Sequence, residues 1–256
     1  EILAALRTVF QWLVVKKTIT SNPFEGVLVA TKSTPHALLT PNDIHAIFSS
    51  PLYQPLSSYS TKKTTTQSHW WLPLLCLHTG ARPSELLQMR LEDVSMIGDV
   101  VVAAIINDAA TGQQVKTLAG QRLIPIHPAL LALGFMEFVV NSRQAGEDRV
   151  LHGIPLGKRK AGDQAGKWWT RYKTSNLSSF VADRKTLYSF RHTFITKALN
   201  EANVPLQYVQ QIVGHERSQM GATKSYDYGG DAARLLEELS KVDFALPTLQ
   251  RPRRMA

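Results

Sequence analysis

The sequence has 256 residues, of which 44% are hydrophobic and 19% are charged. This balance supports a sizeable buried core and excludes a chain that is disordered throughout. The 29 lysines and arginines outnumber the 20 aspartates and glutamates, which gives a formal net charge of +9. Such an excess on a folded protein indicates a polyanionic partner, because clustered Lys and Arg attract phosphate groups.

The single cysteine, Cys76, excludes an intrachain disulfide and a cysteine-based zinc site. It lies in the apolar run 70–77, which predicts a buried free thiol in a reducing compartment. No apolar run approaches the roughly 20 residues that a membrane span needs, and no signal peptide opens the sequence. We therefore expect a cytoplasmic protein. Because the first residue is Glu1, we also expect a piece of something longer.

The N-terminal residues 2–15 carry apolar side chains at helical spacing, and a breaker at Asn22-Pro23 follows them. Thr40-Pro41-Asn42-Asp43 then provides an N-cap, a proline in the first turn and an early acidic residue, which predicts a new helix through Phe48. We place a domain boundary near residue 35. Residues 1–35 are interpreted as the last helix of an upstream domain with a linker.

The middle of the chain alternates short helical and extended patterns. Residues 57–68 are polar and predict a loop, and the apolar run Trp70–His78 predicts a helix that Thr79-Gly80 ends. A second helix is predicted over Pro83–Arg90, and the β-branched run Val100–Ile106 predicts a strand. A hairpin is predicted with arms at 114–116 and 122–126.

The rest of the chain is predicted to be mostly helical. After Pro128 the pattern predicts a helix through Val140, and the glycine-rich, basic segment 152–167 predicts a mobile loop. Further helices are predicted at 168–182, 189–201, 205–213 and 231–240. The fold class is therefore mainly α with a small antiparallel β-sheet (α+β).

Two arginines have unusual local contexts. Arg82 lies at a tight turn into a helix, where orphan amides favour an anion, and Arg191 lies near the start of another predicted helix. The eight histidines show no metal-ligand spacing, and the Gly153–Arg159 segment lacks the spacing of a phosphate loop. No metal or nucleotide cofactor is expected.

Four motifs carry a family resemblance. Thr79–Leu86 resembles the first arginine box of the tyrosine recombinases (phage integrase family), and Ser189–Phe194 resembles the second. Val213-Gly214-His215, followed by tyrosines, is similar to the third box, and Gln114–Thr117 with Arg122–Ile126 resembles the hairpin that carries the family's lysine. All four occur in the family's order, and the resemblance spans about residues 36–240.

The resemblance implies a site-specific recombinase or integrase that cleaves and rejoins DNA through a covalent 3′-phosphotyrosine. Arg82 and Arg191 would clamp the non-bridging phosphate oxygens with permanent charge, so that no metal is needed. Lys116 would protonate the leaving 5′ oxygen, and His215 would hydrogen-bond a phosphate oxygen or assist the tyrosine.

The resemblance leaves the nucleophile open between two tyrosines. Tyr226 is nearer the usual spacing from His215 and is the first choice, while Tyr228 has a family-like glycine after it and is the second. The chain departs from the pattern at Tyr188, where the family usually has His or Lys. A phenol donates a hydrogen bond but is a poor base near neutrality, so we expect altered acid–base function there.

Basic residues outside the motifs are predicted to grip DNA regardless of sequence: Lys62, Lys63, Lys158, Arg159 and Lys160. The resemblance implies a catalytic domain over 36–240 with a basic tail over 241–256, encoded by a bacterium or phage. It also implies double-stranded DNA as partner and a tetramer of protomers on it. The helix at 231–240 would dock in a neighbouring protomer or pack in its own domain. Two alternatives stay open: a type IB topoisomerase-like enzyme and a catalytically weakened DNA-binding module.

Overall fold

A computed structural model of the chain describes residues 2–27, 37–54, 66–115, 120–158, 160–177, 184–214 and 228–249, with only the backbone of 228–231. The chain divides into two compact units, residues 1–35 and residues 36–256. None of the helices in the described ranges combines the length and the apolar character needed to cross a membrane.

The first unit contains one helix, α1 (Ile2–Val15), over the predicted range. The segment after α1 folds back on it: the Arg7 Nε donates to the Phe24 carbonyl at 3.0 Å, and the rings of Phe10 and Phe24 are 4.9 Å apart. None of the residues in α1 is buried. Trp12 is 57% exposed, which leaves the apolar side of this helix without cover in the described part of its own unit.

The second unit is built around α3 (Gln67–Thr79), which packs against α8 (Leu187–Asn200). Every residue of α3 after Gln67 is buried, as expected for a helix that is apolar on all sides. Cys76 is a fully buried free thiol, as predicted. The helix begins three residues before the predicted start, because the polar residues Gln67, Ser68 and His69 form its first turn after the N-cap Thr66.

The other helices surround this pair. They are α2 (Pro41–Phe48), α4 (Pro83–Gln88), α5 (Pro128–Ala132), α6 (Phe135–Gln144), α7 (Asp163–Asn176), α9 (Leu206–Val213) and α10 (Tyr228–Ser240). The helix predicted from residue 128 to 140 is two helices, because Gly134 takes a positive φ of 84° and breaks the chain direction. The loop predicted over 152–167 ends at Asp163, where α7 begins. Burial of Ala165 and Trp168 stabilises this earlier start.

A small antiparallel sheet has the order β1-β2-β3, with β1 (Val94–Ile97), β2 (Val100–Ile105) and β3 (Arg122–Pro125). The fold class predicted from sequence, mainly α with a small antiparallel sheet, is confirmed. β1 is a strand that the sequence analysis missed. It pairs with β2 through a two-residue turn in which Gly98 has a φ of 57°.

The predicted hairpin between 114–116 and 122–126 is wrong in its pairing. β3 pairs with β2, with Val102 opposite Pro125 and Ile105 opposite Arg122. Gln114 and Val115 lie outside any strand. The Gln114 backbone bonds to a side chain and not to a strand: its amide donates a hydrogen bond to the Gln88 Oε1 at 3.0 Å.

The helix α10 packs across the sheet of its own unit. Leu235 and Leu239 are buried in the described part of α10, and Ala232 joins Val100 and Val102 in a second small cluster. Of the two placements that the sequence left open, the structure therefore has the one in cis. The chain then continues into the core, where Val242 and Phe244 are buried, within the segment that the sequence analysis assigned to the tail.

Candidate active site

The turn between α3 and α4, residues 80–82, carries the backbone that the two arginine motifs share. Gly80 ends α3 with a φ of 59°, and a Cβ there would lie 2.4 Å from the ring of Phe194 on α8. Only glycine therefore fits both the backbone conformation and the packing. The Gly80 carbonyl accepts a hydrogen bond from the Arg191 Nη1 at 2.7 Å. This contact joins the first and second predicted arginine motifs directly.

Arg191 lies in the second turn of α8 with 4% of its surface exposed. Burial and the neighbouring charge of Arg82 lower its pKa to about 10, so the side chain is still cationic at neutral pH. Its Nη2 is buried without a hydrogen-bond partner among the residues that the structure describes. A buried charged donor without an acceptor is costly, so this atom is suited to receive an anionic oxygen.

Arg82 immediately precedes α4 and is held there by Glu85. The Arg82 Nη1 lies 2.7 Å from the Glu85 Oε1, and the Arg82 backbone amide donates to the Glu85 Oε2 at 2.9 Å. The Arg82 side chain keeps 20% exposure. Glu85 therefore fixes the position of Arg82, while part of the Arg82 side chain remains accessible to solvent.

Glu85 and Arg122 are site residues that the sequence analysis did not assign. The Arg122 Nη2 lies 2.8 Å from the Glu85 Oε2, and both side chains are almost fully buried. Burial alone would raise the pKa of Glu85, but the charge of Arg122 and the hydrogen bonds from both arginines hold it below its usual value. The signal for Glu85 was its place three residues after Arg82 on a short helix. Arg122 carried no local signal, since Glu85 and Ile212, which link it to the site and to α9, are distant in sequence.

Three arginines and one carboxylate thus meet in one region. Arg82, Arg122 and Arg191 contribute three positive charges against the one negative charge of Glu85, and both Arg82 and Arg122 act on the pKa of Arg191. This leaves a local surplus of two positive charges in a largely buried setting. Such a site favours a dianionic or highly charged oxyanion.

Tyr188 lies three residues before Arg191 on α8, so the two side chains occupy neighbouring positions on one face. Tyr188 is 39% exposed. The structure therefore brings together three of the predicted catalytic residues: Arg82, Tyr188 and Arg191.

Lys116, His215 and Tyr226 lie outside the described residues. Tyr228 begins α10, and its side chain also lies outside what is described. The chain just before each of the first two is described: Gln114 is held by Gln88 of α4, and Gly214 ends α9 against Arg122.

Of the residues predicted to grip DNA, Lys158 and Lys160 are exposed, whereas Lys62, Lys63 and Arg159 lie outside the described residues. The loop carrying the two lysines passes close to α4, because a Cβ at Gly162 would lie 3.9 Å from the Ser84 Cβ. The basic loop therefore borders the helix that positions Arg82 and Glu85. Across the described ranges, no group of three or more His, Cys, Asp or Glu side chains is arranged to hold a metal.

A profile of the phage integrase family matches residues 38–227, which is most of the second unit. A tyrosine recombinase from Agathobacter rectalis is 25% identical over 232 residues, which cover 88% of this chain and 70% of that protein. The tyrosine recombinase XerD from Staphylococcus saprophyticus is 25% identical over 233 residues, with the same two coverages.

Solved structures share the fold. The integrase of transposon Tn1549, in complex with transposon right end DNA, aligns with a TM-score of 0.56 and 21% identity over 91% of this chain and 75% of that one. A lambda integrase tetramer bound to a Holliday junction aligns with a TM-score of 0.55 and 15% identity over 88% of this chain and 60% of that one.

Proposed function

The chain belongs to the phage integrase family, and we propose that it cleaves and rejoins DNA through a 3′-phosphotyrosine bond at the site around Arg82 and Arg191. It is an enzyme, a site-specific recombinase of the tyrosine class.

The observation that carries the proposal is the buried, unpartnered Nη2 of Arg191 beside Arg82. A scissile phosphate placed there would accept from Arg191 and from the exposed part of Arg82. During transfer the phosphorus becomes pentacoordinate, and negative charge increases on its non-bridging oxygens. Two guanidiniums of fixed geometry stabilise that charge without reorganising, which lowers the barrier to strand cleavage.

In the covalent step the phenolic oxygen of the nucleophile attacks phosphorus, and the bond from phosphorus to the 5′ oxygen breaks. Tyr226 is the proposed nucleophile, with Tyr228 as the second choice. Lys116 gives a proton to the leaving 5′ oxygen, and His215 hydrogen-bonds a phosphate oxygen or takes the proton of the phenol. Attack by a 5′ hydroxyl on the phosphotyrosine reverses the step and joins the strands.

Tyr188 has a restricted role in this proposal. Its position one turn from Arg191 and its exposure suit a hydroxyl that donates to a phosphate oxygen. A phenol does not exchange protons readily near neutral pH. We therefore assign Tyr188 to phosphate binding and leave the proton transfers to Lys116 and His215.

Exposed lysines supply affinity that does not depend on base sequence. Lys158 and Lys160 are exposed on the segment that leads to Gly162, which lies beside Ser84 of α4, so a duplex bound at Arg82 is proposed to contact this segment. Lys62, Lys63 and Arg159 are proposed to extend this contact. By analogy with the lambda integrase tetramer, the active assembly is proposed to be a tetramer on DNA.

We further propose that residues 1–35 are the end of an upstream DNA-binding domain with its linker. The division of the chain into units at residues 35 and 36 and the uncovered apolar side of α1 support this. Residues 36–240 would form the catalytic domain. The described part of 241–256 belongs with its core, and the arginines near the C-terminus would add phosphate contacts.

The proposal is tested with a pool of nicked duplexes of random sequence, in which cleavage releases a short 5′-hydroxyl strand that cannot rejoin. We expect the wild-type chain to form an SDS-stable covalent complex, and sequencing of the trapped DNA identifies the site. Tyr226→Phe is expected to abolish the complex. Tyr208→Phe is the matched control, since Tyr208 is a tyrosine of α9 that packs under Arg234.

The other outcomes separate the alternatives. Loss of the complex in Tyr228→Phe, but not in Tyr226→Phe, transfers the nucleophile to Tyr228. Relaxation of supercoiled DNA with no dependence on sequence identifies a topoisomerase-like enzyme. If no covalent complex forms while the DNA is bound, the chain is a binding module and the proposed chemistry is wrong.

A further inference from the structure

All three nitrogens of the Arg122 guanidinium are bonded, and the proposed chemistry does not use this side chain. Its Nε donates to the Ile212 carbonyl at 2.6 Å, its Nη1 donates to the Gly120 carbonyl at 2.6 Å, and its Nη2 binds the Glu85 Oε2 at 2.8 Å. Only 4% of the side chain is exposed. Its guanidinium is therefore directed into the protein, and it does not serve as a third phosphate clamp.

The bond to Glu85 changes what Arg82 has to neutralise. The Glu85 carboxylate is almost fully buried, and it binds both Arg82 and Arg122. A buried carboxylate needs a counter-charge. With Arg122 as its counter-ion, the charge of Arg82 stays available to a phosphate. Without Arg122, Arg82 would be the only cation bonded to Glu85 among the described residues, and the carboxylate would neutralise its charge.

The other end of Arg122 holds the end of α9. The last carbonyls of a helix lack intrahelical partners, and the Arg122 Nε satisfies that of Ile212. Gly214 caps α9 with a φ of 70°, and a Cβ there would lie 2.7 Å from the Arg122 Nη1. Arg122 therefore packs directly on the residue that precedes His215 in the sequence. It therefore holds the end of α9, where the third motif begins.

We propose that Arg122 is a positioning residue: it is the internal counter-ion of Glu85, which leaves the charge of Arg82 available to the phosphate, and it links the first motif to the end of α9. This inference rests on the proposed function for its consequence in catalysis. It assigns to one side chain of β3 the alignment of two motifs that are distant in sequence. Arg122 acts through Arg82 and through the end of α9, without contacting DNA.

The test compares Arg122→Lys and Arg122→Gln with the wild-type chain. Lysine keeps the charge but cannot make the three bonds in the guanidinium geometry, so we expect covalent complex formation to slow about 10- to 100-fold. Glutamine also removes the charge and is expected to slow it further. DNA affinity should change less than threefold, because most phosphate contacts of a bound duplex lie outside the site at Arg82 and Arg191. Wild-type rates in both variants would overturn the proposal.

A double variant separates positioning from a purely structural role. Arg122→Gln/Glu85→Gln also removes the carboxylate that would neutralise Arg82, so part of the rate lost in Arg122→Gln should return. A double variant as slow as Arg122→Gln, or slower, would contradict the counter-ion role. Arg143→Lys is the matched control: the Arg143 Nη2 binds the Leu91 and Val94 carbonyls at 2.6 and 2.7 Å. It is expected to lower Tm and leave the cleavage rate unchanged.

A second readout does not depend on cleavage. Inorganic phosphate is expected to raise the Tm of the wild-type chain by binding at Arg82 and Arg191. The increase should disappear in Arg122→Gln and return in the double variant. Suppose that the wild type and the two variants show this pattern of phosphate effects, but the wild type never forms a covalent complex. The positioning role then stands and the proposed function fails. If the phosphate effect is the same in all variants, the positioning role fails.

Discussion

Arg191 has a buried donor that is suited to an anionic oxygen. It donates to the Gly80 carbonyl through Nη1, while Nη2 is buried and lacks a partner in the described residues. A guanidinium can donate to two oxygens of a phosphate from a fixed plane, whereas an ammonium group cannot reproduce that geometry. The chemical identity of this side chain, and not only its charge, is therefore expected to matter.

We predict that Arg191→Lys slows covalent complex formation at least about 100-fold, the usual cost of removing one preorganised donor from an oxyanion site. Single-turnover formation of the SDS-stable complex measures this rate. Arg171→Lys is the control, because Arg171 is an exposed arginine of α7. A rate for Arg191→Lys within threefold of the wild type would remove Arg191 from the proposed clamp.

Gly80 and Gly98 allow a matched test at the residue scale. Both have a positive φ, 59° and 57°, but a Cβ at Gly80 would collide with Phe194, whereas a Cβ at Gly98 would meet nothing within 4 Å. We predict that Gly98→Ala costs about 1 kcal/mol of unfolding free energy, the backbone penalty alone. Gly80→Ala should cost at least about 1 kcal/mol more and also slow cleavage, because the Gly80 carbonyl holds Arg191. Equal losses of stability in urea titrations would contradict the packing argument.

At the scale of the element, α3 buries histidines as well as apolar residues. His78 is fully buried, and its Nδ1 lies 3.0 Å from the Leu74 carbonyl. Burial lowers its pKa from 6.5 to about 4, with a smaller effect of the neighbouring His127. The folded chain therefore keeps His78 neutral at pH values where the unfolded chain takes up a proton.

The sign of the pH dependence follows from this difference. The unfolded chain binds more protons below about pH 6.5, so stability decreases as the pH falls from 6.5 and levels off near pH 4. We predict that His78 accounts for a loss on the order of 3 kcal/mol across this window. His78→Leu should reduce the slope of unfolding free energy against pH, whereas His45→Gln, on an exposed histidine of α2, should not. An unchanged slope in His78→Leu would show that other groups carry the acid sensitivity.

At the scale of the whole molecule, the net charge of +9 predicts how the chain binds DNA. Contacts to phosphates release counter-ions, so the affinity decreases steeply as salt increases. We predict weak binding to any duplex, with a strong dependence of log Kd on the logarithm of salt concentration. Lys158→Gln/Lys160→Gln should reduce this slope by about one to two. Lys197→Gln is the control, because Lys197 pairs with Glu201 at the far end of α8. Nanomolar, salt-insensitive binding to one sequence would contradict this prediction.

Local patterns were sufficient to predict most helices. Thr40 caps α2 as expected, its side chain accepting from the Asp43 amide at 3.2 Å, and α1 and α9 lie where the apolar spacing placed them. The sheet was harder to predict. Pairing between strands depends on residues that are distant in sequence. The backbone amide of Gln114 donates to the Gln88 side chain and not to a neighbouring strand.

The sequence by itself determined the family, the mainly helical fold with a small sheet, and the two arginine motifs at Arg82 and Arg191. These depend on residue type and spacing, which are local properties of the chain. Only the tertiary structure decided that Arg191 reaches the Gly80 carbonyl, that α10 packs on its own sheet, and that Arg122 joins Glu85 to the end of α9. Residues that are distant in sequence come together only when the chain folds and long loops close. No local pattern could therefore show that Arg122 would be a counter-ion of the buried Glu85 carboxylate beside Arg82.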